Sequence, residues 1–166
     1  LSDQGGFFEN APFRGGKMSE TLFEGGARVP FFFYWPGVTK PNSLNNSVVQ
    51  STDIFPTLIE IVGGDVSKYN NLDGISLVST LKNNDFLKRE PIYGYRAYED
   101  LYVSIREENW KLLAYRSGKI ELFNIAKDIK EQKEISKQNP EKVKELLIKL
   151  VKWEEEMDID QYSGIK

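Results

Sequence analysis

The sequence predicts an α/β fold in two regions, residues 1–88 and residues 89–166. Three observations lead to this prediction. Residues 29–35 form an aromatic and β-branched run with the length of a buried strand. Residues 51–64 carry apolar side chains at helical spacing. Beyond residue 89, four strand-like segments precede one long amphipathic helix, a pattern typical of an antiparallel sheet packed by a helix.

The first feature along the chain is a glycine-rich run over residues 2–37. It contains Ser2-Asp3-Gln4-Gly5-Gly6, then Arg14-Gly15-Gly16-Lys17, then Glu24-Gly25-Gly26. Glycine permits backbone conformations and close approaches that other residues do not. An acid, a carboxamide and a lysine on such a backbone predict a site for a metal ion and an anion. These residues are too few for a whole site, and we expect the rest to lie upstream.

A strand and a helix are predicted to follow this run. Residues 29–35 are interpreted as a central strand of a layered sheet, which Pro36-Gly37 ends. The helix over residues 51–64 has Ser51 or Thr52 as its predicted cap and Gly63 as its end. Its predicted apolar face consists of Ile54, Leu58, Ile61 and Val62.

The second region alternates short strands with hairpin turns before its helix. Asn139-Pro140-Glu141 combines a cap, a proline at the first helical position and an acid near the positive helix end. The apolar stripe of this helix is Val143, Leu146, Leu147, Leu150 and Val151. The predicted strands are residues 92–98, 101–106, 110–115 and 120–125, with turns at residues 107–109 and 117–118.

The composition excludes several classes of protein. The 166 residues are 40% hydrophobic and 28% charged, which is ordinary for a globular protein. A net charge of −3 argues against nucleic-acid binding, and no apolar run is long enough to span a membrane. The absence of cysteine and histidine removes disulfides, thiolate chemistry and the commonest general base from these residues. Any catalysis by these residues therefore rests on aspartate, glutamate, lysine, arginine, serine or tyrosine.

Several short motifs follow one another in a particular order. They are Ser2-Asp3-Gln4-Gly5, Arg14-Gly15-Gly16-Lys17, residues 23–30, Trp35-Pro36-Gly37, residues 53–58, residues 73–77, Trp110-Lys111-Leu112, and residues 122–125 with Asp128 and Glu131 after them. This ordered set resembles the C-terminal part of the formylglycine-dependent sulfatases, of the arylsulfatase family and the alkaline-phosphatase-like superfamily. The resemblance implies that residues 1–88 belong to the catalytic α/β sandwich. It implies that residues 89–166 form a small α+β subdomain, a four-stranded antiparallel sheet packed by a C-terminal helix.

The resemblance also implies a site. Asp3 and Gln4 match the family residues that ligate a calcium ion, and Lys17 matches the catalytic lysine that contacts the sulfate oxygens. Calcium takes roughly 6–8 oxygen ligands, so upstream residues must complete the shell. A formylglycine nucleophile, made from cysteine or serine, is also implied in the missing N-terminal part. Two departures from the family pattern affect this alignment: Gln4 replaces the usual asparagine, and the stretch between Lys17 and Glu24 is longer than usual.

Other charged residues have two interpretations. Arg14 is a candidate second cation for the sulfate, or it braces the loop by hydrogen bonds. Arg96, near Tyr98 and Tyr102, is a candidate contact for a sulfated sugar, or it lies on a solvent face of the sheet. Glu24 and Arg28 are interpreted as an ion pair that locks the turn. Asn45-Asn46-Ser47 matches the glycosylation sequon, a pattern that is common by chance.

The sequence thus predicts part of a sulfatase that hydrolyses sulfate esters of a carbohydrate or an aryl alcohol. The chain lacks the nucleophile, and we expect it to be inactive without its N-terminal part. The expected partners are a sulfated small molecule or carbohydrate and that N-terminal part, in a periplasmic, secreted or lysosomal compartment. Two alternatives stay open: a phosphohydrolase or phosphotransferase of the same superfamily, or a non-catalytic module that binds carbohydrate or protein.

Overall fold

The computed structural model describes residues 1–8, 10–18, 20–96 and 102–159. The chain forms two compact units, one made of Leu1–Phe31 with Pro91–Lys166 and the other of Phe32–Glu90. The assignment of residues 1–88 and 89–166 to separate domains stays a prediction. Among the described residues, no helix combines the length and the apolar composition needed to cross a membrane.

The first unit contains the predicted antiparallel sheet, with strand order β1-β2-β3-β4. Its strands end close to the predicted positions, and turns form at both predicted hairpins, where Glu108 has φ 50° and Gly118 has φ 85°. The predicted ends at Tyr98 and Leu101 lie outside the described residues. The strands are β1 Ile92–Arg96, β2 Tyr102–Glu107, β3 Trp110–Tyr115 and β4 Ile120–Asn124. The helices of the described residues are α1 Glu24–Ala27, α2 Ile54–Ile61, α3 Val78–Asn83 and α4 Pro140–Glu156, with 3-10 turns at Ser51–Asp53, Val66–Lys68 and Ser136–Gln138.

Helix α4 covers one face of the sheet, as its apolar stripe predicts. Leu146, Leu147 and Leu150 are buried against strand residues that include Leu112 and Leu122. Pro140 occupies the start of the helix as predicted. The predicted cap is wrong, however, because the Asn139 side chain donates backward to the Ile135 carbonyl at 2.9 Å and makes no cap bond. The helix is therefore anchored by apolar burial more than by its N-terminus.

The opposite face of the sheet is covered by the glycine-rich run. Phe23, which immediately precedes α1, is 1% exposed and packs edge-on against Phe123 of β4, with ring centroids 6.0 Å apart. Tyr102, Leu113 and Ile125 complete this second apolar cluster. Because both faces of the sheet are covered, successive residues in β2 to β4 are buried without alternation. The packing of Phe23 also fixes the glycine-rich run to a rigid support.

Truncation of Leu150 tests the first of these cores. Leu150→Ala is expected to lower the free energy of unfolding by about 2–5 kcal/mol, since a fully buried side chain leaves a cavity. Ile148, on the same helix, is 61% exposed, and Ile148→Ala is expected to change stability by about 0.5 kcal/mol or less. Urea denaturation followed by circular dichroism measures both. Equal losses for the two variants would contradict the assigned orientation of α4.

Two predictions for residues 29–64 are wrong. Residues 29–35 are extended but belong to no strand, since the described sheet consists only of β1 to β4. Exposure alternates along them: Phe32 and Tyr34 are 86% and 84% exposed, whereas Phe33 between them is half-buried. The side-chain period of a strand is thus present, although these residues are not part of the described sheet.

The prediction that α2 buries its apolar face is also wrong. Leu58 and Val62 are 49% and 82% exposed, and the fully buried side chains of this region are those of Asp53 and Thr57. Gly63, with φ 78°, follows the end of the helix as predicted. Helix α2 therefore buries Pro56 and Thr57 and presents other apolar residues at the surface.

Asp53 is the centre of the second unit. Its Oδ2 accepts from Gln50 N and from Arg89 NH1, both at 2.7 Å, and its Oδ1 accepts from Ile75 N at 2.9 Å. This carboxylate, rather than a hydroxyl of Ser51 or Thr52, closes the turn before α2. It explains why the motifs over residues 53–58 and 73–77 occur together, because one supplies the acceptor that the other needs.

The possible glycosylation sequon lies at a structured position in this unit. Asn45 Nδ2 lies 3.2 Å from the Asn84 carbonyl, 3.1 Å from Asn84 Oδ1 and 3.1 Å from the Asp85 carbonyl. Asn45 Oδ1 in turn accepts from Ser47 N at 2.8 Å. The side chain thus joins the segment after α3 to the loop that carries Asn45.

Candidate functional site

The structure brings together two of the predicted site residues, Asp3 and Lys17. Lys17 Nζ donates to Asp3 Oδ2 at 2.9 Å, although fourteen positions separate the residues in sequence. The Asp3 side chain is 75% exposed and that of Lys17 33% exposed, so both can reach a ligand. The hydrogen bond and the charge of Lys17 hold the pKa of the Asp3 carboxyl below its usual value. An anionic and a cationic group therefore stand side by side at an open surface.

Backbone hydrogen bonds between the glycine segments create this arrangement. Gly5 N donates to Gly26 O at 3.0 Å, and Lys17 N donates to Gly6 O at 3.0 Å. A β-carbon on Gly5 would lie 1.7 Å from the Gly25 carbonyl oxygen, so only glycine allows this approach. The three glycine segments predicted to form a site are thus joined into one backbone frame.

Asn10 is a bracing residue that sequence reasoning did not assign to the site. Its Oδ1 accepts from Gly6 N at 2.7 Å, and its Nδ2 contacts the carbonyls of Gly6 and Phe8 at 3.1 Å and of Gly15 at 3.0 Å. A carboxamide suits this role because it offers both donors and acceptors. The sequence signal for this role is the position of Asn10 between the pairs Gly5-Gly6 and Gly15-Gly16.

Arg14 braces the loop, one of its two predicted roles. Its Nε donates to Glu20 Oε1 at 3.0 Å, and its guanidinium carbon lies 3.8 Å from the centroid of the Phe23 ring. NH1 also reaches the Glu131 carbonyl at 3.4 Å. Sulfate contact by Arg14 stays a prediction.

Arg96 lies away from a solvent face of the sheet. The residue is 8% exposed, with NH1 3.1 Å from Thr21 Oγ1 and NH2 3.4 Å from the Met18 carbonyl. Tyr102 is 6% exposed, and Tyr98 lies outside the described residues. Arg96 thus supports the loop directly after Lys17, and its contact with a sugar stays a prediction. The predicted ion pair between Glu24 and Arg28 is also present, with Arg28 NH1 3.7 Å from Glu24 Oε2.

Asp3 and Gln4 provide hard oxygen donors of the kind that calcium binds. Both residues are exposed, so their oxygens are accessible. In the described part of the chain, no three acidic, cysteine or histidine side chains cluster closely enough to hold a metal ion. The residues present therefore fit part of a calcium shell, and their assignment as ligands stays a prediction.

An open groove adjoins the site. It has a volume of about 520 Å³ and is lined by both polar and apolar side chains. Phe7, on its wall, lies 5.3 Å from Lys17 Nζ, measured to the ring centroid. The groove could hold the non-reacting part of a ligand whose anionic group reaches Lys17. Lining residues include Phe7, Phe8, Phe13, Met18, Lys130 and Gln132.

Comparison with known proteins gives one matching family model, described as N-sulphoglucosamine sulphohydrolase, C-terminal, which covers residues 19–158. A sulfatase from Formosa agariphila is 33% identical over 158 residues, covering 84% of this chain and 28% of the relative. An ulvan-active sulfatase from the same organism is 32% identical over 100 residues, covering 56% of this chain and 20% of the relative.

Solved structures agree with this match. The crystal structure of Ps i-CgsB superposes with a TM-score of 0.80 at 32% identity and covers 91% of this chain and 34% of that one. The same values hold for its complex with k-i-k-neocarrahexaose. The chain thus spans about a third or less of the length of the proteins that it resembles.

Proposed function

Because the chain belongs to the sulfatase family and matches its C-terminal domain, we propose that it forms the C-terminal part of an enzyme that hydrolyses sulfate esters. The observation that carries this proposal is the pairing of Lys17 and Asp3 at 2.9 Å on a frame of glycines. A cation beside a potential metal ligand is what binding and cleavage of a sulfate ester require.

The residues of this chain have separate roles in the proposed reaction. Asp3 and Gln4 contribute oxygens to a calcium shell that upstream residues complete. Calcium, when bound, supplies positive charge that binds and polarises the sulfate group. Lys17 donates hydrogen bonds to the sulfate and offsets the negative charge that develops on the ester oxygen as the S–O bond breaks. The nucleophile, a formylglycine, lies in the upstream part of the protein.

The proposed substrate is a sulfated carbohydrate. Among the relatives, one is named for activity on ulvan and another, from Homo sapiens, as an N-acetylgalactosamine-6-sulfatase. A solved relative was crystallised with neocarrahexaose. The groove beside Lys17 supports this assignment, because Phe7 and Phe8 present exposed rings to a sugar and Lys130 and Gln132 present polar groups. We propose a periplasmic, secreted or lysosomal location for such an enzyme.

Activity of the full-length protein tests this function. Release of inorganic sulfate from sulfated carrageenan and ulvan oligosaccharides, and from an aryl sulfate, is measured with and without calcium chelation. We expect turnover that chelation abolishes, and no turnover by the isolated 166-residue chain. A matched phosphate monoester serves as the control substrate.

Three outcomes would contradict the proposal. Faster hydrolysis of the phosphate monoester would favour a phosphohydrolase of the same superfamily. Binding of the sulfated oligosaccharides without any hydrolysis would favour a non-catalytic carbohydrate-binding module. Robust turnover by the isolated chain would instead show that no upstream nucleophile is needed.

A further inference from the structure

Three charged side chains from distant segments of the chain meet in the interior of the first unit. Lys111 lies on β3, Glu24 begins α1, and Glu131 lies in the segment after β4. Lys111 Nζ is 3.1 Å from Glu24 Oε1 and 2.9 Å from Glu131 Oε1. Glu24 is 7% exposed, Lys111 3% and Glu131 1%. We refer to these residues as the Glu24–Lys111–Glu131 cluster.

Neighbouring charges complete the electrostatics of this cluster. Arg106 of β2 places NH1 3.0 Å from Glu24 Oε1. Burial acts to raise the pKa of Glu24, but Lys111 and Arg106 outweigh burial and hold that pKa below its usual value. Burial raises the pKa of Glu131 despite the attraction of Lys111. Within the described residues, Lys111 is the one ion-pair partner of Glu131 Oε1, so this carboxylate depends on it.

The cluster is hydrogen-bonded to the backbone that carries the candidate site. Glu131 Oε2 accepts a hydrogen bond from Glu24 N at 2.7 Å, at the start of α1. The next two residues of α1 hold the site segments: Gly25 N donates to Arg14 O at 2.6 Å, and Gly26 O accepts from Gly5 N. Asp3 and Lys17 are two and three residues away from these contacts. Direct contacts, followed by two or three residues of backbone, thus connect Lys111 with both site residues.

Stability alone does not account for a buried charge cluster of this kind. Replacing a buried ion pair by apolar residues of similar volume is often neutral or stabilising, because desolvation offsets the attraction between the charges. What charged hydrogen bonds add is direction: they hold a donor and an acceptor at a set distance and angle. A loop that must hold a cation and a metal ligand in register needs that property.

We propose that Lys111 and Glu131 are positioning residues of the sulfate site, which fix α1 and, through it, the relative placement of Asp3 and Lys17. This inference rests on the proposed function, which it deepens by assigning a role to two late motifs. This role explains why three motifs occur together in the sequence. Lys111 of Trp110-Lys111-Leu112, Glu24 of Glu24-Gly25-Gly26 and Glu131 are the members of the Glu24–Lys111–Glu131 cluster.

The kinetic test compares two variants of the full-length protein, Lys111→Met and Glu131→Gln. Both keep the side-chain volume and remove the Lys111–Glu131 ion pair, and Glu131→Gln keeps the test possible if Lys111→Met fails to fold. We expect kcat for the aryl sulfate to fall about 10- to 100-fold with KM within about threefold, as small misplacements of catalytic groups do. Lys152→Met, at a side chain that is 76% exposed, is the matched control and is expected to keep wild-type kinetics.

A double-mutant cycle separates positioning from general damage. In a Lys17→Ala background, the same two substitutions are expected to lower kcat by less than about threefold, because the group that they position is gone. Equal losses of kcat in both backgrounds would overturn the proposal and indicate a merely structural role.

Hydrogen–deuterium exchange by mass spectrometry supplies a readout that needs no activity. In Lys111→Met and Glu131→Gln, the segment containing the amides of Gly5 and Lys17 is expected to exchange about tenfold faster or more, while β2 and β3 keep their protection. Unchanged exchange in that segment overturns the positioning role whether or not the enzyme is active. Absence of sulfate release by the wild-type protein would overturn the proposed function alone, and the exchange result would still decide the positioning role.

Discussion

Replacing Lys17 by alanine in the full-length protein is expected to lower kcat for sulfate-ester hydrolysis by about 10²–10³-fold, the usual effect of removing one donor aimed at developing charge. Lys17 is partly exposed, and Asp3 holds its ammonium 2.9 Å away in a fixed direction. The alanine variant keeps the backbone bond from residue 17 to Gly6 O, so the frame itself should persist.

Steady-state kinetics on the aryl sulfate and on the carbohydrate substrate measure this effect. Lys152→Ala, on the exposed side of α4, is the control and should leave kcat within about twofold of wild type. If Lys17→Ala raises KM but leaves kcat unchanged, then the lysine contributes to binding without acting on the transition state. That result would contradict the catalytic role proposed for it.

Asp53→Ala is expected to produce the largest loss of stability, about 3–5 kcal/mol in the free energy of unfolding. The carboxylate is fully buried, and its removal leaves the guanidinium of Arg89, 11% exposed, without its ion-pair partner, so that NH1 keeps the Val48 carbonyl at 3.4 Å. The backbone amides of Gln50 and Ile75 also lose their acceptor. Each of these buried groups then stays desolvated after losing a hydrogen bond, which destabilises the folded state.

A nearby carboxylate provides the comparison for Asp53. Glu60, on the exposed surface of α2, should change stability by about 0.5 kcal/mol or less as Glu60→Ala. Asp53→Asn keeps the shape and one acceptor, so its loss should fall between those of the two alanine variants. Urea denaturation gives all three values. A loss for Asp53→Ala no larger than that of Glu60→Ala would refute the central role assigned to this residue.

The sequence was sufficient to predict the α/β class, the four-stranded antiparallel sheet and the helix that packs on it. These elements depend on local sequence signals: short strand-like segments separated by turn residues in β2 to β4, and a 3.6-residue apolar stripe in α4. The pairing of Asp3 with Lys17 could be anticipated only from the order of the motifs. Spacing alone does not reveal that two exposed residues fourteen positions apart will meet.

What could not be predicted depends on contacts between distant segments. Residues 29–35 have the composition of a strand, but strand formation also requires a neighbour, which composition does not contain. The spacing of apolar residues in α2 predicts an apolar face but does not tell whether that face is buried. Lys111 resembles any charged residue in a strand until Glu24 and Glu131 are placed around it. Arg96 likewise looks solvent-facing until its loop partners are known.

The packing of Asn45 bears on the choice of expression host. A secretory eukaryotic host reads Asn45-Asn46-Ser47 as an acceptor while the chain is still emerging, before its contacts form. A glycan on Nδ2 leaves that nitrogen one hydrogen where it now faces three acceptors, on Asn84 and Asp85. Glycosylation and native folding therefore compete for the same atom. A bacterial host avoids that competition and keeps the Ser47 hydroxyl, which accepts from Leu87 N at 2.7 Å.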